Sequence, residues 1–334
     1  MSVMKAIVIE GYKKPLRVAE MPLSELGEHD VRVEVYAASL NPIDYKLRDG
    51  LLRMIQSYDF PLILGHDLAG VVTAIGSKVR KFSIGDEVYG RPRGSRIGTL
   101  AEYISVHEDE VSLKPHNISF EEAASIPLIG LTTYQAFTDV MALQKGQKLL
   151  IHAGAGGIGT FAIQLAKAMG AYVATTTSEN GYDLVKRLGA DLVINYKQEQ
   201  FEHIIQDYDA VYDTLGGDVL KKSFTVLKPQ GKLVSIAGLP GGNFAREAGL
   251  GPLKTVLFSV VGRRMNALAA KNKVDYHYHY MKPSGLDLFS IKQRIEANQI
   301  KPVIDKTFDF HDTAQAFAYL ETGRAKGKVV VRVK

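Results

Sequence analysis

From Lys148 onward the chain alternates short apolar runs with helix-length segments, and this alternation leaves few folds open. KLLIHA, YVATTT, DLVINY, DAVYDTL and KLVSIAG are nearly all apolar or β-branched. They do not alternate apolar with polar residues. Strands of that kind are buried on both faces, as in a parallel sheet covered by helices. The helical stretches between them supply the crossovers, so the expectation is a doubly wound α/β domain. DYHYHYM, residues 275–281, is the candidate last strand.

The rest of the chain has a different character. Residues 1–120 hold KAIVIE, DVRVEVYAAS, AGVVTAIG and DEVYG, short β-rich runs bounded by Gly, Asp and Ser. They predict a compact, mostly β domain. Near Glu121 the pattern turns helical, in EEAASIPLIGLTTYQAFTDVMAL. After Gly285 come a helix (DLFSIKQRIEANQI), a strand (PVIDKTFDF), a helix (DTAQAFAYLETG) and a closing strand (KVVVRV). Pattern alone assigns this last part to neither domain. Residues 240–270 are likewise unplaced. A length of 334 residues suits two domains.

Composition removes several function classes. Hydrophobic residues at 46% and charged residues at 23% can furnish a core in each domain. The net charge of +5 is spread without a dense cationic run, so no nucleic-acid partner is expected. There is no cysteine, which excludes disulfides, thiolate nucleophiles and thiolate metal ligands. MSVMKAIVIEGYKKP reads as a strand rather than a signal peptide. The longest apolar stretch, around PLKTVLFSVVGRR, falls short of the about eighteen residues a membrane span needs. A soluble cytoplasmic protein with no membrane partner is expected.

The strongest motif is IHAGAGGIGTFAIQLAKAMGA. Gly154, Gly156 and Gly159 form a G-x-G-x-x-G between a strand and a helix. The helix carries Ile158, Phe161, Ala162, Leu165 and Met169 on one face at helical spacing. Gly154 permits a tight turn, Gly156 lets backbone N–H groups approach a pyrophosphate, and Gly159 lets helix and strand pack closely. The helix N-terminus adds unpaired donors and partial positive charge. The next strand ends in Thr175, Thr176, Thr177 and Ser178, where an NAD site carries a carboxylate. Hydroxyls there favour NADPH, with NADH the alternative. The plainer reading of these hydroxyls is a cap on the following helix.

A second motif, ILGHDLAGVV at residues 63–72, has the look of half a zinc site. A tetrahedral catalytic zinc needs three protein ligands. Asp44, His66 and Asp67 are candidates, but no thiolate or neighbouring histidine completes the set. The expectation is no metal, with His66 and Asp67 serving by hydrogen bonding. His277 and His279 alternate within DYHYHYM and would share a face of a strand. That run reads as an aromatic sheet edge or a subunit contact rather than a metal pair.

Taken together, these segments resemble the zinc-free quinone-oxidoreductase branch of the medium-chain dehydrogenases/reductases. The resemblance spans the chain: ASLNPIDYKLRDG (38–50), PLILGHDLAGVVTAIG (61–76), GDEVYG (85–90), GTLAEYISV (98–106), EEAASIPLIGLTTYQAF (121–137), HAGAGGIG (152–159), LGADLVINY (188–196) and GRAKGKVVV (323–331). It implies a GroES-like catalytic domain from residues 1–127 and 284–334, and a Rossmann NADP-binding domain from 128–283. It also implies a homodimer paired through the Rossmann domain. The activity implied is NADPH-dependent hydride transfer to a small-molecule electrophile, a quinone or α,β-unsaturated carbonyl. Such acceptors need no Lewis acid, because the charge spreads over a conjugated enolate or phenolate.

The resemblance also assigns residues. In LNPIDYKLRDG, Asn41, Tyr45 and Lys46 are the catalytic candidates. Lys46 matches a lysine in the Asn-Pro-x-Asp-x-Lys segment of plant enone reductases, a candidate oxyanion stabiliser or proton donor. The plainer readings are a surface lysine and a core tyrosine, with Asp44 anchoring the loop. Thr132 matches a threonine near the nicotinamide, and Gly156, Gly157 and Ile158 match the pyrophosphate turn. Ser178 matches a 2′-phosphate contact, and Tyr196 a tyrosine near the adenosine. Leu215 and Ala237–Gly238 match strand ends lining the nicotinamide site. Relatives often place Lys or Arg just after Ser178, whereas this chain has Asn180 and Gly181. Lys186 and Arg187 are candidate substitutes. Two alternatives stand beside the enzyme: a low-turnover NADPH-binding protein, structural or RNA-binding, and a metal-dependent alcohol dehydrogenase.

Overall fold

A computed structural model describes residues 3–238 and 240–334. The chain divides into two compact units. One is residues 1–131 with 282–334, and the other is residues 132–281. The first unit opens with β1 (Val3–Ile9), β2 (Arg17–Pro22), β3 (Asp30–Leu40), β4 (Leu62–Ile63), β5 (Asp67–Ile75), β6 (Glu87–Gly90), β7 (Tyr103–His107) and β8 (Val111–Leu113). The second holds β9 (Lys148–Ile151), β10 (Tyr172–Thr177), β11 (Leu192–Asn195), β12 (Tyr208–Asp213), β13 (Leu227–Ser235) and β14 (Asp275–Tyr278). The chain then re-enters the first unit with β15 (Ile304–Asp309) and β16 (Lys328–Arg332).

In the first unit a small sheet runs β2-β1-β4. A larger one runs β15-β16-β3-β5-β6-β8, with β7 also paired to β3. β3 is the hub. It pairs antiparallel with β5, β7 and β16, and Val31, Val33 and Val35 alternate into the core. Pairing of β16 with β3 closes the sheet from both ends of the chain, placing the C-terminal segment that pattern left unassigned.

In the second unit every strand pair is parallel, in the order β11-β10-β9-β12-β13-β14. Numbered within the unit this is 3-2-1-4-5-6, the dinucleotide-binding arrangement. The order reverses between β9 and β12, where such sheets bind ligands beyond their carboxyl ends. The fold is the α/β architecture expected, a GroES-like β unit plus a doubly wound Rossmann unit.

Two local expectations are corrected, and one unplaced stretch is placed. The helix after the glycine turn, Gly157–Ala168, is buried all round from Gly159 to Ala166, whereas a single apolar face was predicted. The buried stretch includes Thr160 and Gln164, whose side chains donate to the Gly157 and Thr160 carbonyls of the same helix. The aromatic strand stops at Tyr278, so His277 lies in it and His279 lies beyond it. Residues 240–270 contain the helix Gly242–Glu247 and most of the helix Gly251–Asn272. No helix among the described residues is long and apolar enough to cross a membrane.

Candidate functional site

The predicted residues fall into two clusters, one in each unit. In the second unit, the glycine turn leaves the carboxyl end of β9. Ala153 takes a left-handed φ of 53°, an uncommon conformation for a residue with a side chain. A Cβ on Gly154 would stand 2.1 Å from Thr175 Oγ1, and one on Gly159 would stand 2.4 Å from the Ala153 carbonyl oxygen. Neither position has room for a side chain. The first N–H groups of the following helix, at Gly157, Ile158 and Gly159, have no acceptor within it. They form the cradle a pyrophosphate needs, and the residues present fit a dinucleotide.

The neighbouring strand ends are stitched together around this turn. Ala153 N–H donates to Thr176 Oγ1 at 3.1 Å, and Gly154 N–H to the Thr176 carbonyl at 2.9 Å. Tyr196 N–H donates to the Thr177 carbonyl at 3.2 Å, bringing the Ser178 and Tyr196 tips side by side. Tyr196 is 60% exposed, leaving its ring free to meet a ligand. Ser178 makes no side-chain cap on the short helix that follows. Lys186 is not a free cation for a 2′-phosphate, because its Nζ donates to the carbonyls of Ala190 and Asp191. Arg187 is exposed.

Sequence reasoning missed three residues that hold these tips. Asp213, at the end of β12, accepts from the N–H groups of Leu215 and Gly216 and from Ser235 Oγ at 2.6 Å. Ser235 Oγ in turn accepts from Ala237 N–H and from Gly238 N–H at 2.8 Å. The Leu215 and Ala237–Gly238 turns are thus brought together. Burial raises the Asp213 carboxyl above its usual range, against the pull of these donors. His152 meets Ser223 Oγ at 2.9 Å and Thr176 Oγ1 at 3.2 Å, and its carbonyl accepts from Thr214. Burial pulls its imidazole down to about 3. The only signal was position, next to the DTLGG, SIAG and HAGAGG segments. Thr132 is buried in the helix Pro127–Gln135, and Thr133 beside it meets Tyr212 of β12.

In the first unit, the helix Pro42–Arg48 carries the catalytic candidates. Asn41 is its N-cap residue, and its N–H donates to Asp44 Oδ2 at 2.7 Å. Asp44 Oδ1 meets His66 Nδ1 at 2.6 Å, with both residues buried. Asp67 Oδ2 accepts from Ser39 Oγ and from Asn41 Nδ2, each at 2.8 Å, while Oδ1 accepts from Leu128 N–H at 2.7 Å. Lys328 completes the network. Its ammonium donates to Asn41 Oδ1, to the Leu40 carbonyl at 3.1 Å and to Asp67 Oδ2 at 3.3 Å. Lys328 is 3% exposed, and burial lowers its pKa against the opposing charges of Asp67 and Asp44. It lies in the quoted GKVVV segment, yet nothing in the sequence singled it out.

The predicted trio separates. Asn41 is locked in the buried network. Tyr45 is half-buried against the apolar cluster of Leu47 and Phe317, and burial raises its phenol pKa, helped by Glu321 and Asp49. Lys46 is exposed. The three zinc-ligand candidates are otherwise engaged, Asp44 with His66 and Asp67 with Lys328. An ammonium already bound to one carboxylate does not fit a zinc site. Among the described residues no group of three or more His, Asp or Glu is placed to hold a metal.

Residues 27–116 match the alcohol dehydrogenase GroES-like domain and residues 188–331 the zinc-binding dehydrogenase domain. The chain is 34% identical to the mitochondrial NAD(P)H oxidoreductase RTN4IP1 of Danio rerio, over 99% of this chain and 92% of that protein. The chain belongs to the medium-chain dehydrogenase/reductase superfamily, in its quinone-oxidoreductase branch. Another member, the chloroplastic NADPH-dependent alkenal/one oxidoreductase of Arabidopsis thaliana, is 35% identical over 92% of this chain and 73% of its own length. The quinone oxidoreductase structure from Coxiella burnetii superposes with a TM-score of 0.87 at 33% identity, covering all of both chains. In this member Asp67 of the GHD motif is bound to Lys328.

Proposed function

We propose that this protein is an NADPH-dependent oxidoreductase that reduces quinones or α,β-unsaturated carbonyls without a catalytic metal. The observation that carries this reading is the glycine turn at the switch point of a 3-2-1-4-5-6 parallel sheet. The names of relatives, an NAD(P)H oxidoreductase and an NADPH-dependent alkenal/one oxidoreductase, supply the reaction class. Bound NADPH supplies a hydride. Gly157, Ile158 and Gly159 hold the pyrophosphate by backbone donors, Gly154 and Gly156 shape the turn that presents them, and Ser178 and Tyr196 take the adenosine end. Thr132, Leu215, Ala237 and Gly238 take the nicotinamide end. NADH remains an alternative, because Asn180 and Gly181 stand just after Ser178 where relatives often carry Lys or Arg.

The acceptor gains a hydride at carbon and a proton, the latter at the α-carbon for an enone; for a quinone the proton goes to one oxygen, and the ring carbon then loses a proton while the second oxygen gains one to give the hydroquinone. Negative charge develops on the acceptor oxygen during hydride transfer, and hydrogen-bond donors stabilise it. Tyr45 and Lys46 are the proposed donors, with exposed Lys46 the proton source, and Asn41 orients the helix that carries them. A cytoplasmic homodimer is the assembly proposed, with the edge strand β14 as its contact.

The test is NADPH oxidation by purified protein with 1,4-benzoquinone and, separately, a 2-alkenal, each with and without chelator. Turnover insensitive to chelator is expected, and the faster acceptor names the substrate class. NADPH binding without turnover of either acceptor would overturn the reductase in favour of a binding protein. Loss of activity with chelator would favour a metal-dependent dehydrogenase.

A further inference from the structure

We propose that Lys328 is a positioning residue for the reduction, holding the Asn41–Lys46 segment in its working geometry. The inference rests on the reading of that segment as catalytic. Lys328 begins β16, and Val329, Val330 and Val331 after it are each 0% exposed. An apolar residue at 328 would extend that core without the cost of desolvating a charge. Buried ion pairs add little net stability over apolar replacements, and their better-attested use is to specify one arrangement.

The geometry shows which arrangement is specified. An ammonium has three donors. The three acceptors of Lys328 are the Leu40 carbonyl, Asn41 Oδ1 and Asp67 Oδ2. Two of them immediately precede the helix that carries Tyr45 and Lys46. The third begins β5, the strand of the GHD motif. One side chain from the far end of the chain thus pins the catalytic turn to the sheet. Gly327, at φ 105°, has the Val303 carbonyl 2.4 Å from where a Cβ would sit, so the chain enters β16 by a route only glycine permits. The Asn41 amide is held from both sides, its oxygen by Lys328 and its nitrogen by Asp67. Loss of the ammonium frees the amide to turn and the helix start to shift. A shift of about 1 Å at a reacting group can cost roughly 100-fold in rate.

The test compares Lys328→Met, Asn41→Ala and the double variant Lys328→Met/Asn41→Ala, reading kcat, acceptor KM and NADPH Kd by fluorescence. For Lys328→Met, kcat is expected to fall about 10- to 100-fold. NADPH Kd should stay within about twofold, because the glycine turn takes its geometry from contacts within residues 132–281. The double variant should be no slower than the slower single variant, since both changes act through one amide. A folded Lys328→Met protein with wild-type kcat overturns the proposal. Should Lys328→Met fail to fold, Lys328→Met/Asp67→Asn removes both members of the Lys328–Asp67 ion pair and is read the same way. If neither folds, Lys328 is a stability element and the proposal falls. If Asn41→Ala and Lys46→Ala both keep wild-type kcat, the catalytic reading of the segment fails instead, whatever Lys328 does.

Discussion

His152 shows how a single buried group sets a measurable property. Its imidazole is 0% exposed among Thr176, Ser223 and the ring of Phe201, and burial holds its pKa near 3, against 6.5 for the free side chain. Between those values the unfolded chain binds a proton that the folded chain refuses. Stability from this group is therefore complete above pH 6.5 and declines as pH falls towards 3, by up to about 1.4 kcal/mol per pH unit. Urea unfolding at pH 6.5 and pH 4.5 checks it. His152→Gln should show a shallower loss than wild type by about 1 kcal/mol per unit. Equal slopes would mean that the imidazole is charged in the fold.

At the scale of the element, the strand-turn-helix at residues 148–168 was the most legible part of the sequence. Its partners are local, and its glycines stand where backbone meets backbone. Gly159→Ala would set a methyl 2.4 Å from the Ala153 carbonyl oxygen and 2.6 Å from Gly154 Cα. The helix must retreat from the strand, and its N–H groups leave the pyrophosphate. NADPH Kd is expected to rise at least about 10-fold, or about 1.4 kcal/mol, in a fluorescence titration. An unchanged Kd would dissociate the turn from cofactor binding. The helix Gly251–Asn272 was far less legible. Its Leu253, Val256, Leu257 and Val260 fall at helical spacing, but the stripe they form is exposed, whereas the buried residues of the helix are Gly262, Met265 and Ala269.

At the scale of the whole molecule, the first unit is built from both chain ends. β16 lies between β3 and β15 and carries three fully buried valines. Each contributes roughly 1.5–3 kcal/mol by burial. Their sum rivals the net stability of a typical domain, about 5–15 kcal/mol. Truncation after Gly327 is therefore expected to abolish cooperative folding of the first unit, seen as loss of its transition in a thermal melt. A truncated chain that melts like the full one would show that β16 is dispensable.

The sequence alone determined what depends on local pattern: the parallel sheet, the glycine turn and the β-rich first unit. Absence of cysteine also determined that any cation held by the GHD motif must do without thiolates. The tertiary structure decided which residues meet. Lys328 reaches Asn41 across 287 positions of chain, and Arg48 reaches Glu321 across 273. A period in the sequence reports how a segment faces its own neighbours. It carries no record of a hydrogen bond closed by the return of the far end of the chain, and the charge that occupies the GHD motif was visible only once that end had folded back.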